Sequence, residues 1–281
     1  MRSSALLAAL ALAVAAYYGR ELWVELGHRE RVDASLARAA AALRVPDDPE
    51  PDSGTMVIVE PRAHPMLEYV IRAFDAVVPP HWDLVVFHGT ENAREAASAA
   101  RGLRRATTLV DLGVPSLSFR VYNYTLLRQN FWRCVRGDHV LVFQTDSVPC
   151  RAALDVARFG AFGYVGCTLG PRVGRGQWGM LAPRSTSQYG IGGLSLRRRA
   201  FCLRACRAFE GADLPEDVAF STFLDAPGHG FARPTARDLE EFCAQHTYGD
   251  APRSFGAHKV ASSGMRDKAS FYAYCPSAKL T

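Results

Sequence analysis

The chain has 281 residues, 33 Lys and Arg against 28 Asp and Glu, a formal net charge of +5, and 48% hydrophobic residues. That length suits an N-terminal appendage followed by one α/β domain of roughly 220 residues, which is enough to bury a good core. The basic residues are scattered with no run of five or more, so nucleic acid is not expected as a partner, and the densest cluster, Arg197 to Arg199, reads as a solvated face.

The N-terminal segment, residues 1–27, is expected to be a signal peptide or a signal-anchor. Ala5 to Tyr18 is fourteen uncharged, mostly apolar residues behind one Arg. As a helix it would be about 21 Å long, short of the roughly 30 Å hydrocarbon layer. Trp23, Val24 and Leu26 extend it only across Arg20, Glu21 and Glu25, and Ala13-Val14-Ala15 offers a cleavage site. Either form places the chain in the secretory pathway, and a signal-anchor would hold it in a Golgi or ER membrane with type II topology; the alternative is an Ala-rich soluble helix. Residues 28–54 turn to charge and alanine and end in Pro46-Asp-Asp-Pro-Glu-Pro-Asp-Ser-Gly54, a composition expected of a helical stem and extended linker. The compact domain is then expected over residues 55–281.

Within it, strands and helices alternate. Met56 to Glu60 is a predicted strand, and Pro65 opens a helix with Leu67, Val70, Ile71, Phe74 and Val78 on one face. Asp83 to His88 is a strand, Glu91 to Arg101 an Ala-rich helix, and Ala106 to Asp111 a strand. A single helix is predicted from Phe119 to Cys134, with an apolar stripe that includes Asn123. Strands follow at His139 to Phe143 and Phe162 to Val165. Gly193 to Leu196 is a strand leading into a helix through Phe209. The order predicts a Rossmann-type, mostly parallel sheet with helices on both sides.

Asn123-Tyr-Thr125 is an N-glycosylation sequon, but a residue on a buried stripe cannot project a glycan, so the sequon is expected to be unused. The seven cysteines have no C-x-x-C or zinc-like spacing, and their odd number leaves at least one unpaired within the monomer. Cys202 and Cys206, one helical turn apart, suit core filling, and the spacing assigns no disulfide.

Four short segments carry chemistry. The first is His139-Val-Leu-Val-Phe-Gln-Thr-Asp146, a strand buried on both faces that delivers one carboxylate at its C-terminal end, where ligands of open α/β sheets collect. Asp146 could hold a divalent cation against a phosphate, or cap the next segment. The second is Tyr189-Gly-Ile-Gly-Gly-Leu-Ser195, where glycines allow close approach of backbone to ligand and Ser195 could bond a hydroxyl or phosphate; it matches neither a dinucleotide fingerprint nor a Walker loop. The third, Pro215-Glu-Asp217, is either a helix start or a pair of functional carboxylates. The fourth is Gly256-Ala-His258-Lys259, where His258 could be a metal ligand or a plain surface residue.

In this order the four segments resemble glycosyltransferases of the GT-A fold. More closely, they resemble a family of uncharacterised glycosyltransferase-like proteins sharing Val-Glu-x-Arg, Phe-Trp, Phe-Gln-Thr-Asp-Ser, Gly-Gly-Leu-Ser-Leu-Arg, Glu-Asp-Val and Gly-x-His-Lys. Here these are Val59 to Arg62, Phe131-Trp132, Phe143 to Ser147, Gly192 to Arg197, Glu216 to Val218 and Gly256 to Lys259. The resemblance implies one GT-A-like catalytic domain that moves a sugar from a nucleotide-sugar donor to a glycan, protein or lipid acceptor. It implies Mn2+ or Mg2+ on the diphosphate, held by Asp146 and His258, with Gln144 in the first acidic position of the Asp-x-Asp motif that GT-A enzymes commonly use. That departure makes metal affinity without nucleotide low, or metal unnecessary. Glu60, Arg62, Gln144, Thr145, Gly192, Gly193 and Ser195 would contact the donor, and Asp217 or Glu216 would act as base, Asp217 being preferred. Residues 170–181, with Trp178, would form a lid over the sugar or simply a surface loop. The alternative is an inactive nucleotide- or carbohydrate-binding protein of the same fold.

Overall fold

The computed structural model describes residues 2–46, 48–168 and 188–281, with side chains from residue 21 onward. Helix α1 (Arg2–Leu43) precedes β1 (Gly54–Glu60), α2 (Leu67–Asp75), β2 (Asp83–His88), α3 (Ala93–Ala99) and β3 (Thr107–Asp111). Next come α4 (Phe119–Leu126), α5 (Gln129–Arg133), β4 (His139–Phe143), β5 (Ser147–Pro149), α6 (Val156–Phe159), β6 (Tyr164–Cys167) and β7 (Ile191–Arg198). The chain continues through α7 (Arg199–Ala208), α8 (Glu216–Asp225), α9 (Ala236–Phe242), β8 (Cys243–Ala244), β9 (Gly256–His258) and α10 (Lys268–Tyr274). Among the described residues no helix is long and apolar enough to cross a membrane.

The main sheet has the order β3-β2-β1-β4-β7-β6. β1 pairs in parallel with β2 and β4, and β2 with β3, whereas β7 runs antiparallel to both β4 and β6. The sheet is therefore mostly parallel and flanked by helices, as expected. β1 and β4 are buried along their whole length because helices cover both faces, which is why their sequences read as unbroken apolar runs. On one face lie Leu67, Val70, Ile71 and Phe74 of α2, packed over Met56, Ile58, Leu84 and Phe143. Each such side chain stabilises the fold by about 1.5–3 kcal/mol through its burial. On the other face Phe131, Trp132, Phe201 and Phe220 pack over Val57, Phe87 and Val142.

Several elements differ from expectation. The helix predicted over 119–134 is two helices, because Arg128 is extended (φ −92°, ψ 130°) and the indole of Trp132 donates to the carbonyl of Leu126, which α4 leaves open (2.8 Å). The strand expected at 162–165 lies at Tyr164–Cys167. Arg197 and Arg199 are fully buried rather than solvated: Arg197 faces inward from β7, and Arg199 donates to the carbonyls of Trp132 (3.0 Å) and Pro46 (2.7 Å). Residues 32–43, read as stem, belong to the packed core. Val32 and Leu36 of α1 are fully buried in the same cluster as Trp132 and Phe201, and Ser35 Oγ donates to the carbonyl of Asp111 at 2.7 Å.

A second, small sheet of order β5-β9-β8 sits beyond the C-terminal end of β4. Disulfides Cys150–Cys275 and Cys167–Cys243 fasten the C-terminal quarter to β5 and β6. Cys134, Cys202 and Cys206 are free and buried, so the latter two do fill the core.

Candidate functional site

Strands β1, β4 and β7 end or begin around one cleft of about 280 Å³, lined among others by Glu60, Arg62, Gln144, Thr145, Asp146, Gly192, Gly193, Glu216, Asp217 and His258. The cleft lies off the carboxyl ends of the parallel strands, the usual place for a ligand in an open α/β sheet. Candidate residues up to 198 positions apart in sequence are thus brought together, Glu60 and His258 among them. Ser195 is the exception. It is fully buried, donates to the carbonyl of Gly192 (3.1 Å) and accepts from Arg197 Nε (2.9 Å), so it supports the glycine turn from behind. Trp178 and the rest of the expected lid lie outside the described residues.

His258 reaches Asp146 because β9 pairs antiparallel with β5, placing His258 opposite Ser147. Ser147 Oγ in turn donates to the carbonyl of Gly193 (2.9 Å), and the imidazole rests directly on the Gly193 backbone, where any Cβ would strike the ring. Nδ1 of His258 lies 2.7 Å from Gln245 Oε1, which anchors the ring. Nε2 faces Gln144 Oε1 at 3.1 Å and Asp146 Oδ1 at 3.2 Å. Burial holds the imidazole below its ordinary pKa, against the pull of Asp146. Burial alone would raise the Asp146 carboxyl, but His258 and Lys259 bring it below the usual carboxylate range. Asp146 Oδ1, Gln144 Oε1 and His258 Nε2, three atoms able to ligate a cation, converge in one corner of the cleft. The set fits a small hard cation: a carboxylate oxygen, an amide oxygen and an imidazole nitrogen whose other nitrogen is anchored. Among the described residues no cluster of three His, Cys, Asp or Glu side chains forms a complete metal site, so a cation here needs further oxygens from a ligand.

Lys259 stands next to this group with φ 52°, a left-handed conformation that costs a non-glycine residue about 1–2 kcal/mol. Its amide donates to the carbonyl of Asp146 (3.0 Å) and its ammonium is 3.6 Å from Asp146 Oδ2. The strained turn thus aims a cation into the cleft.

Across the cleft, Arg62 is held by Glu60 through two bonds, Nε to Oε1 (2.8 Å) and Nη2 to Oε2 (2.9 Å), and this pairing raises its already high pKa. Thr145 Oγ1 lies 3.3 Å from Glu60 Oε2 and ties the ends of β1 and β4 together. Asn92, fully buried, donates to the carbonyls of Glu60 and Arg62 (2.8 Å each) and accepts from the amide of Gly89 (2.8 Å). It fixes the turn that leads out of β1.

Glu216 and Asp217 begin α8. Glu216 is buried and held in a two-pronged pair with Arg197, at 2.9 and 3.1 Å, the guanidinium being enclosed by the rings of Trp132, Tyr164 and Phe220. Both oxygens of Glu216 are thus engaged by Arg197, and removing either charge would leave the other buried and unpaired. Asp217 is the half-exposed member of the two, with Oδ1 accepting from the amide of Val218 at 2.8 Å. The amide of Glu216 donates to Asn123 Oδ1 (2.7 Å), and Asn123 Nδ2 donates to the carbonyl of Phe119 (2.7 Å). The sequon asparagine is buried and serves as a strut under α8.

Sequence reasoning missed Asn92, Tyr122 and Lys259 as parts of the site. Tyr122 faces the cleft from α4 with its phenol pushed up by burial, so it stays protonated. Its place on the stripe made it look like core; Lys259 was within a quoted motif but given no role.

The chain belongs to a family described as a protein of unknown function, DUF5672, whose match covers residues 115–258, just over half of the sequence. No curated protein matches it. Among solved structures it is similar to the mannosyltransferase PcManGT from Pyrobaculum calidifontis in complex with GDP-Man and Mn2+. The identity is 18% and the TM-score 0.45, over 78% of this chain and 66% of that one. It is also similar to S. aureus TarS 1-349 in complex with UDP, at 14% identity and TM-score 0.40, over 60% of this chain and 54% of that one. The chain spans less than two thirds of the length of each.

Proposed function

We propose that the chain is a glycosyltransferase that moves a sugar from a nucleotide-sugar donor to an acceptor hydroxyl, with a divalent cation on the donor diphosphate. The observation that carries this reading is the convergence of Asp146 Oδ1, Gln144 Oε1 and His258 Nε2 at the carboxyl end of β4. These three atoms would hold Mn2+ or Mg2+, the remaining ligands coming from diphosphate and water. When bound, the cation would offset the negative charge gained by the departing diphosphate. Lys259 supplies a second positive charge beside it. Arg62, steadied by Glu60, would hold the nucleotide from the opposite wall, and the bare backbone at Gly192 and Gly193 lets the sugar lie close. Asp217 takes the proton of the acceptor hydroxyl as its oxygen bonds the anomeric carbon and the bond to the diphosphate breaks, an inverting displacement. Glu216, anchored by Arg197, fixes the first turn of α8 from which Asp217 projects.

The test is thermal shift of the full chain with a panel of nucleotide-sugars, with Mn2+ and with chelator. A binding donor should raise Tm only with the metal present. Asp146→Ala should abolish the shift while leaving the unliganded Tm nearly unchanged. A shift that survives either chelator or this substitution overturns the metal reading.

A further inference from the structure

We propose that helix α1 seats its apolar N-terminal end in a lipid bilayer and thereby holds the mouth of the cleft at headgroup level, so that the acceptor is membrane-borne. The word acceptor rests on the transferase reading above; the docking does not.

The path of α1 carries the argument. Its C-terminal end, at Leu43, lies beside Gly54 and Gly137, where β1 and β4 begin. Eighteen residues earlier, Glu25 accepts a hydrogen bond from Ser118 Oγ at 2.7 Å, and Ser118 and Phe119 line the cleft at the other end of the sheet. The helix therefore runs the length of the domain and leaves it on the cleft side. Its hold there is firm: Arg29 pairs with Asp213 at 2.8 Å, Asp213 also pairs with Arg120, and Val32 and Leu36 are fully buried. No flexible stem separates the N-terminal segment from the domain, because one helix contains both.

Where α1 leaves the domain its side chains turn apolar and exposed. Leu22, Trp23, Val24 and Leu26 are 51%, 78%, 50% and 45% exposed. At about 100° per residue they cover an arc of about 200°, with Glu21 and Glu25 on the remainder. A second copy of the chain would need only a narrow heptad seam; an arc this wide suits a solvent that is apolar on several sides. The sequence continues the trend outward, with Tyr17 and Tyr18 followed by the uncharged run back to Ala5. Tyr and Trp at the end of an apolar helix are the composition of a bilayer interface. At about 1.5 Å per residue, Tyr18 is only about 10 Å along the axis from Glu25 and the rim of the cleft. That distance is comparable to the headgroup layer on one side of a bilayer, about 5–7 Å thick.

The experiment places one fluorescent label on the full chain, at Phe119→Cys on the rim or at His81→Cys at the opposite end of the sheet, about 20 Å away along β1. The free cysteines Cys134, Cys202 and Cys206 are buried and do not compete for label. With vesicles of phosphatidylcholine and phosphatidylglycerol carrying a headgroup quencher, the label at 119 should lose at least half its emission and that at 81 almost none. Joint replacement of Leu6, Leu7, Leu10, Leu12, Leu22, Trp23, Val24 and Leu26 by Ser should abolish the quenching at 119 while leaving the donor-induced Tm shift in vesicle-free buffer unchanged. Equal quenching at both sites, none at either, or quenching that survives the eight replacements overturns the docking, as does a concentration-dependent dimer that leaves vesicles bare. Loss of every donor-induced shift with quenching intact would sink the transferase reading alone.

Discussion

Gly193→Ala is the sharpest probe of the cleft. Gly193 lies in β7 outside the left-handed region, so alanine suits its backbone and the whole effect comes from one methyl group. That methyl would lie 2.8 Å from His258 Cδ2 and closer still to Cε1 and Nε2. The ring must retreat by about 1 Å to reach ordinary contact distance. It is buried and fastened through Nδ1 to Gln245, so it cannot retreat without breaking that bond or tilting Nε2 away from Asp146 and Gln144. Overpacking of this kind costs about 1–3 kcal/mol of stability. Misplacing a ligating atom by about 1 Å costs on the order of 100-fold in function. Titration calorimetry with nucleotide-sugar and Mn2+ should therefore show donor affinity reduced about 100-fold, or about 2.7 kcal/mol, in a protein that still unfolds cooperatively. Affinity within threefold of the parent would refute the placement of His258 in the cation site.

Asp217→Asn should lower turnover by about 10²- to 10⁴-fold with Tm unchanged. Glu216→Gln should instead destabilise the fold by about 3 kcal/mol or more in urea titration, because it leaves Arg197 buried without its counter-charge; the reverse pattern would exchange their roles. Peptide mapping without reductant should recover Cys150–Cys275 and Cys167–Cys243 and three free thiols, and replacing either bridge should cost about 2–5 kcal/mol. The pH dependence follows from His258, whose folded pKa lies below its unfolded value of 6.5. The unfolded chain takes up the proton first, so this contribution to stability is complete above pH 6.5 and is lost as pH falls below it. Urea midpoints at pH 8 and pH 5.5 should differ less in His258→Asn than in the parent; an equal difference would place the titration elsewhere.

The parallel half of the sheet was legible because the middles of β1, β2 and β4 are apolar runs buried on both faces, with polar residues only toward their ends. The direction of β7 was not, since an antiparallel strand in the sheet interior has the same composition as a parallel one. The Arg197 to Arg199 cluster misled for a related reason. Charge ordinarily marks a surface, and only the contact with Glu216, nineteen residues on, and an aromatic enclosure make burial of Arg197 tolerable. The break between α4 and α5 left no trace because both helices bury the same stripe against one core. At the site, Asp146, Asp217 and His258 stood out because their side chains have chemistry of their own. Asn92 and Asn123 act through the backbone groups that they satisfy, and short range in sequence gives no sign of which carbonyl or amide an asparagine will find. The strands that bring His258 to Asp146 are only three residues long, too brief for any periodicity.

The bridge between Cys150 and Cys275 has a consequence for cleavage. Residues 249–251 form an exposed loop between β8 and β9, and a cut there would put His258 on a fragment separate from the rest of the site. That fragment would still be fastened to β5 by its own cystine and zipped to it through β9. A nicked molecule should therefore migrate as one species without reductant and keep its histidine in place, and it should come apart into two pieces only once thiols are added.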